Sequence, residues 1–122
     1  MHLTPRELDV MAILWDRGAG TVAQVQEGLE EGLAYTTVLT VLRGLEAKGA
    51  VRHQESGKAY RYFPVLKPSR IGGRSLDRLV DKVYQGSREL LLTQLVSSRN
   101  VSAAELKRLR KLIDVRLKEV DR

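Results

Sequence analysis

The chain has no cysteine and only two histidines, His2 and His53. Without cysteine there are no disulfides and no thiolate metal sites, and no other ligand cluster is visible for a metal. No serine-centred elbow or glycine-rich phosphate loop occurs, and the carboxylates are scattered along helical faces rather than paired. An enzyme finds no support here, and no bound cofactor or metal is expected. Apolar runs are only a few residues long, far short of a membrane span. The opening Met1-His2-Leu3-Thr4 lacks the basic-then-apolar layout of a secretion signal. The expectation is a soluble cytoplasmic protein with no membrane insertion. Internal repeats and low-complexity segments are also missing.

What is present is a basic surplus. The net charge is +6 and the pI about 9.9, which favours an anionic partner. The surplus is unevenly placed. Residues 1–66 carry seven basic against eight acidic side chains, and residues 67–122 carry fourteen against seven. Pattern, not bulk charge, has to carry the reading of the first half.

Thr4-Pro5-Arg6-Glu7 has the layout of a capping box with proline at the first helical position. Leu3 and Leu8 occupy the two positions of a hydrophobic staple, and Leu8, Met11, Ala12 and Trp15 follow at helical spacing. Gly18 and Gly20 predict a turn. Thr21 opens a second helix with Gln24 as its box partner, Val22, Val25 and Leu29 as its buried stripe, and Gly32 as its terminator. A third helix runs from Tyr35 or Thr36 to Lys48, with Gly49 as a left-handed C-cap. The period then changes to two. Residues 51–55 and 59–63 read as strands joined by a Ser56-Gly57-Lys58 turn. Pro64 and Pro68 bracket a short linker. Helix, helix, helix, hairpin is the winged helix-turn-helix order.

The remaining half reads as helix throughout. Leu76, Leu79, Val80, Val83 and Tyr84 form one stripe, and after Gly86 a second begins with Leu90, Leu91, Leu92, Leu95 and Val96. Ser102 caps a last helix, with Glu105 closing the box and Val101 and Leu106 as the staple. Leu106, Leu109, Ile113, Leu117 and Val120 line that helix. Three short amphipathic helices have little chain of their own to bury against, and a two-fold partner would supply the surface. Leu76, Leu79, Val80, Val83, Leu91, Leu95, Leu106, Leu109, Ile113 and Leu117 are therefore expected in a homodimer interface. The expected architecture is mainly α with a small β-hairpin wing. A winged helix-turn-helix domain over 1–66 is followed by a helical dimerisation region over 67–122.

On a wheel of about 100° per residue, the third helix turns Val38, Val41, Leu42 and Leu45 toward the core. The opposite face carries Thr36, Thr40, Arg43 and Ala47, flanked by Thr37, Leu39 and Gly44, and Glu46 lies to the side. An ordinary solvated face would carry more Glu and Lys. This one suits a major groove, where threonine offers a hydroxyl and a methyl, Arg43 reaches guanine or phosphate, and Leu39 reaches a thymine methyl. Between residues 36 and 64 there are five basic against two acidic side chains. Of these, Lys48, Arg52, Lys58 and Arg61 suit phosphate contacts that set position without reading sequence. Thr21, at a helix N-terminus, caps that helix and could also donate to a phosphate. Tyr60, Tyr62 and Phe63 read as packing within the wing rather than as intercalators. His53 reads as a surface residue of its strand.

The chain resembles the BlaI/MecI/CopY family of penicillinase and copper-homeostasis repressors. The resemblance rests on LTPRELDVMAILW at 3–15, TVAQVQEGL at 21–29, AYTTVLTVLRGLEAKGAV at 34–51, GKAYRYFPV at 57–65 and KVYQGS at 82–87. It implies a winged-helix N-terminal domain, a helical dimerisation region and repression by a homodimer on a palindromic double-stranded DNA operator. It assigns DNA contacts to the recognition helix and wing, which map onto Thr36, Thr37, Thr40, Arg43 and Lys58. The copper-responsive branch carries a C-terminal cysteine motif that this chain lacks. In the penicillinase branch a membrane sensor-protease system ends repression by cutting an Asn-Phe bond. The bond that aligns with it here is Gln94–Leu95. Two rival readings are a winged-helix module used only for protein contacts, favoured by the weak charge of the first half, and a ligand-gated regulator of the MarR type, for which the sequence shows no pocket.

Overall fold

The computed structural model describes residues 2–121. Its elements are α1 (Pro5–Arg17), β1 (Gly20–Thr21), α2 (Val22–Gly28), α3 (Tyr35–Ala47), β2 (Val51–Ser56), β3 (Ala59–Pro64), α4 (Pro68–Val83), α5 (Arg88–Val96) and α6 (Ala103–Val120). The chain forms two compact units, Met1–Arg74 and Ser75–Arg122, which divide within α4.

In the first unit, both halves of the capping box on α1 form. The Thr4 hydroxyl accepts from the Glu7 N–H at 3.1 Å, and the Glu7 carboxylate accepts from the Thr4 N–H at 2.9 Å. The buried face of α1 is Glu7, Val10, Met11 and Leu14, which corrects the stripe expected through Leu8, Met11, Ala12 and Trp15. Leu8 is 42% exposed and Ala12 is exposed. Both rows share Met11, so spacing alone does not choose between them. Val10 and Leu14 fill more core volume than Ala12, and Trp15 stays at the edge, where its indole N–H donates to the Leu66 carbonyl at 2.8 Å.

The box on α2 also forms, between Thr21 and Gln24. This helix ends at Gly28 rather than at Gly32, because Leu29 is already extended (φ −83°, ψ 129°). Gly32 instead takes a left-handed conformation in the turn that follows. Gly28 permits close approach of α1, since a Cβ there would lie 3.0 Å from Ile13 Cδ1.

The hairpin extends one residue beyond expectation at its tip and one at its base. Ser56 pairs with Ala59 and Val51 with Pro64, which leaves Gly57-Lys58 as the turn. The sheet has a third strand that periodicity did not reveal, in the order β1-β3-β2. Two residues are too few to show a period, yet Gly20 and Thr21 pair with Tyr62 and Arg61. The wing is thereby bonded to the start of α2. Tyr62, 2% exposed, packs with Met11, Leu14, Val38, Leu42 and Leu45 in a single core.

α4 begins at Pro68, still in the first unit and inside the region expected as linker, and its later turns belong to the second; proline at a first helical position costs no hydrogen bond. Ser87 caps α5, and Ser102 caps α6 by accepting from the Glu105 N–H at 3.1 Å. Only that half of the expected Ser102–Glu105 box forms. Among the described residues of this unit, Val80 alone is buried.

Candidate nucleic-acid interface

The orientation of α3 is set from its inner side. Val38, Leu42 and Leu45 are fully buried and Val41 half-buried, so the opposite row must face outward. Thr36, Thr40, Arg43 and Ala47 are exposed, and Thr37, Leu39 and Gly44 are half-buried beside them. The Thr40 hydroxyl donates to the Thr36 carbonyl at 2.9 Å, leaving its oxygen able to accept. At the start of the helix, Ala34 provides no side-chain cap and Tyr35 is 50% exposed. The first N–H groups of α3 therefore carry no side-chain acceptor, and they add partial positive charge next to Thr36 and Thr37. Sequence reading placed the helix start at Tyr35 or Thr36 but missed this open end. The available signal was Ala34, a residue type that cannot cap.

Glu46, the one acidic side chain of α3, is held at the edge of that face. It accepts from the His53 backbone N–H at 3.1 Å and lies 2.6 Å from His53 Nδ1. The His53 ring packs against Tyr60 and Tyr62, with centroids 4.7 and 5.6 Å apart. This cluster ties the third helix to the wing, a role the sequence did not disclose. Burial raises the pKa of the Tyr62 hydroxyl, and the Glu46 charge raises it further, which keeps the phenol neutral. Tyr62 packs as expected, and Phe63 is half-buried beneath the Arg52 guanidinium, 4.5 Å from its ring centre. Tyr60 packs against the His53 ring and is otherwise 45% exposed.

The basic side chains fall into three settings. Lys58 is exposed at the wing tip, and among the described residues neither it nor Arg43 has an ion-pair partner. Arg52 lies over Phe63, and Arg61 is half-buried opposite Thr21. The Thr21 hydroxyl is engaged in its cap, accepting from the Gln24 N–H at 3.2 Å. Lys48, expected at a phosphate, is instead engaged within the protein, 2.6 Å from Glu7 Oε1 and 3.2 Å from the His2 carbonyl. Among the described residues no three His, Asp or Glu side chains stand together as a metal site, and no helix is long and apolar enough to cross a membrane.

In the second unit, Leu76, Leu79, Val83, Leu95, Leu106, Ile113 and Leu117 are each at least 40% exposed. Leu91 and Leu109 are half-buried, and Val80 is buried within its own unit. Gln94 and Leu95 are exposed near the end of α5, where Gln94 accepts a hydrogen bond from the Tyr84 hydroxyl.

Residues 3–115 match the family described as penicillinase repressor. The transcriptional regulator BlaI of Mycobacterium tuberculosis is 38% identical over 111 residues, covering 88% of this chain and 79% of that protein. The methicillin resistance regulatory protein MecI of Mammaliicoccus sciuri is 22% identical over 115 residues, covering 93% and 94%. Among solved structures, the DNA-binding domain of the repressor BlaI is 27% identical with a TM-score of 0.51, covering 56% of this chain and 85% of that domain. A buried inner row and a threonine–arginine outer row on α3, joined to a basic wing, are thus placed in a known context: the chain belongs to the penicillinase repressor family and is a DNA-binding transcriptional repressor, not an enzyme.

Proposed function

We propose that this repressor acts as a homodimer on a palindromic operator. The outer face of α3 enters the major groove, and two such helices, one per copy, occupy half-sites about 34 Å apart. Thr36, Thr37, Leu39, Thr40 and Arg43 meet the groove, while Lys58, Arg52 and Arg61 stand near the phosphates. The observation that carries this reading is the exposed, acid-free threonine–arginine row of α3. The exposed apolar rows of α4, α5 and α6 supply the dimer interface, since they have no cover within their own unit. A protein-interaction module would make no demand for phosphates. Titration of operator and random duplexes across salt concentrations is the test, because binding through phosphates gives a steep loss of affinity with salt. Absence of any salt-dependent DNA binding would overturn the reading.

Release follows from whatever separates the copies, because a single unit grips one half-site. A membrane sensor-protease system cutting at Gln94–Leu95 is one route. That bond is exposed but helical, so cutting requires the end of α5 to open. A second reading, ligand gating, is favoured by one feature absent from the sequence pattern. A cleft of about 510 Å³ has Val65, Leu66 and Ile71 beside Lys67, Arg70 and Arg74. Its chemistry fits an apolar carboxylate, and a thermal shift with such compounds that is lost in Arg70→Ala would support it.

A further inference from the structure

The basic surplus lies outside the winged-helix elements, and α6 organises much of it. At about 100° per residue, Lys107, Arg110, Lys111 and Lys118 fall along one side of α6, with Asp114 as the only acid among them. The row of Leu106, Leu109, Ile113, Leu117 and Val120 is centred about 120° away round the axis. All four cations are exposed, and none is in an ion pair among the described residues. Arg116, on another flank, does pair, with Glu119 at 3.0 Å. Lys107 and Lys111 are like-charged neighbours one turn apart, an arrangement that weakens a helix and has no use in its own folding.

We propose that this stripe is a second DNA-binding surface, one that takes the phosphate backbone of duplex DNA without reading its sequence. From Lys107 to Lys118 it runs about 16 Å at 1.5 Å per residue. Phosphates of one strand recur about every 3.4 Å along the duplex axis, so the stripe spans about five. Lysine and arginine on flexible stems suit such contacts, which position without specifying. A partner helix seated on Leu109 and Ile113 leaves the stripe facing solvent, so the surface persists in the proposed dimer and is doubled there. An anionic lipid surface would also attract these charges. A helix lying in a lipid surface would bury its leucine row there, whereas in the proposed dimer that row of α6 is taken by the partner copy, which favours DNA as the occupant of the stripe.

The test uses the full chain with Lys107, Lys111 and Lys118 all changed to Gln. Affinity is measured against salt on a duplex ending at the operator edges and on one with random-sequence flanks. The slope of log K against log salt on the flanked duplex should fall by about 0.9 for each phosphate that is no longer neutralised, hence by about 2 or more. Preference for operator over random sequence should not change. A wild-type slope in the triple variant overturns the proposal. So does loss of binding to phosphatidylglycerol vesicles with the DNA slope unchanged, which would assign the stripe to a membrane surface. Circular dichroism and light scattering check that the variant keeps its helices and its association. If it does not, Lys111→Gln alone, with an expected change of about 0.9 in the slope per copy and about 1.8 for the dimer, decides the matter. The proposal rests on DNA binding but not on the α3 assignment. Failure of that assignment appears as an Arg43→Ala variant with undiminished operator preference, whereas failure of the stripe appears only in the slope.

Discussion

Glu7 is only 8% exposed, yet it lies on the first turn of α1 and faces the ammonium of Lys48 at 2.6 Å. Burial pushes its pKa up, but the Lys48 and Thr4 hydrogen bonds and the Lys48 charge outweigh it, and the net shift is downward. A carboxyl whose folded pKa lies below its unfolded value stabilises the fold above the unfolded pKa. That contribution disappears as pH falls through the folded value. Urea midpoints should therefore drop on the acid side of the ordinary glutamate range, and Glu7→Gln should flatten that part of the profile. An identical profile in the variant would show that Glu7 is not the group responsible. Lys48→Met leaves the carboxylate without its partner and should cost about 1–3 kcal/mol at neutral pH. On the outer face, Arg43→Ala should weaken operator binding by about 1–3 kcal/mol and relax specificity, whereas Lys58→Ala should weaken binding to all duplexes alike. Anisotropy titrations on operator and random DNA distinguish these outcomes. Equal behaviour of both variants and wild type would sink the assignment.

Among the elements, the link between α3 and the wing depends on how the helix ends. Gly49, at φ +80°, lets the chain reverse into Ala50 and Val51, both buried, so that β2 starts against the core. Gly49→Ala should cost about 1–2 kcal/mol, read as a lower thermal midpoint, because a side chain is strained in that conformation. Gly72 and Gly73 make the opposite case. Both lie inside α4, and a Cβ at either meets nothing within 4 Å. No packing need explains them, so each change to alanine should stabilise the helix by up to about 1 kcal/mol. A fall in thermal midpoint would show that these positions do not stay helical. The Glu46–His53 contact completes the same link from the side. It also holds the one acidic side chain of α3 away from the outer row of that helix.

For the whole molecule, the two units contrast in how well they bury their own apolar side chains. The first encloses Val10, Met11, Leu14, Val25, Val38, Leu42 and Leu45 completely, while the second encloses Val80 and leaves most of its leucines open. Exposed apolar rows of this extent mark an association surface. Ile113 is 51% exposed, and Leu109 is half-buried. Replacing both with Glu should cost the separate chain little and should abolish association, read by light scattering. If the proposed homodimer spans two half-sites, operator affinity should then fall by about 100-fold or more, since the second half-site no longer benefits from tethering to the first. A variant that remains a dimer would exclude this face of α6.

The amino-acid sequence alone determined the order of the elements, four of the helix starts and the outer face of α3. Caps such as Thr4, Thr21 and Ser102 act on backbone groups three residues away, and helical rows repeat within a few turns, so both are written locally. It did not choose between the two rows through Met11 on α1. It also did not reveal the two-residue strand β1, the end of α2 at Gly28 or the helical start at Pro68. Those outcomes depend on partners distant along the chain: Tyr62 and Arg61 for β1, Ile13 for Gly28, Leu66 for Trp15. The same distinction runs through the interface. Residue types marked Thr36, Thr40 and Arg43 as an outward row, but only packing could direct Lys48 to Glu7, lay Arg52 over Phe63 and bind Glu46 to the wing. Electrostatic and stacking contacts are decided by which side chains the fold brings within a few ångströms, and periodicity carries no record of that.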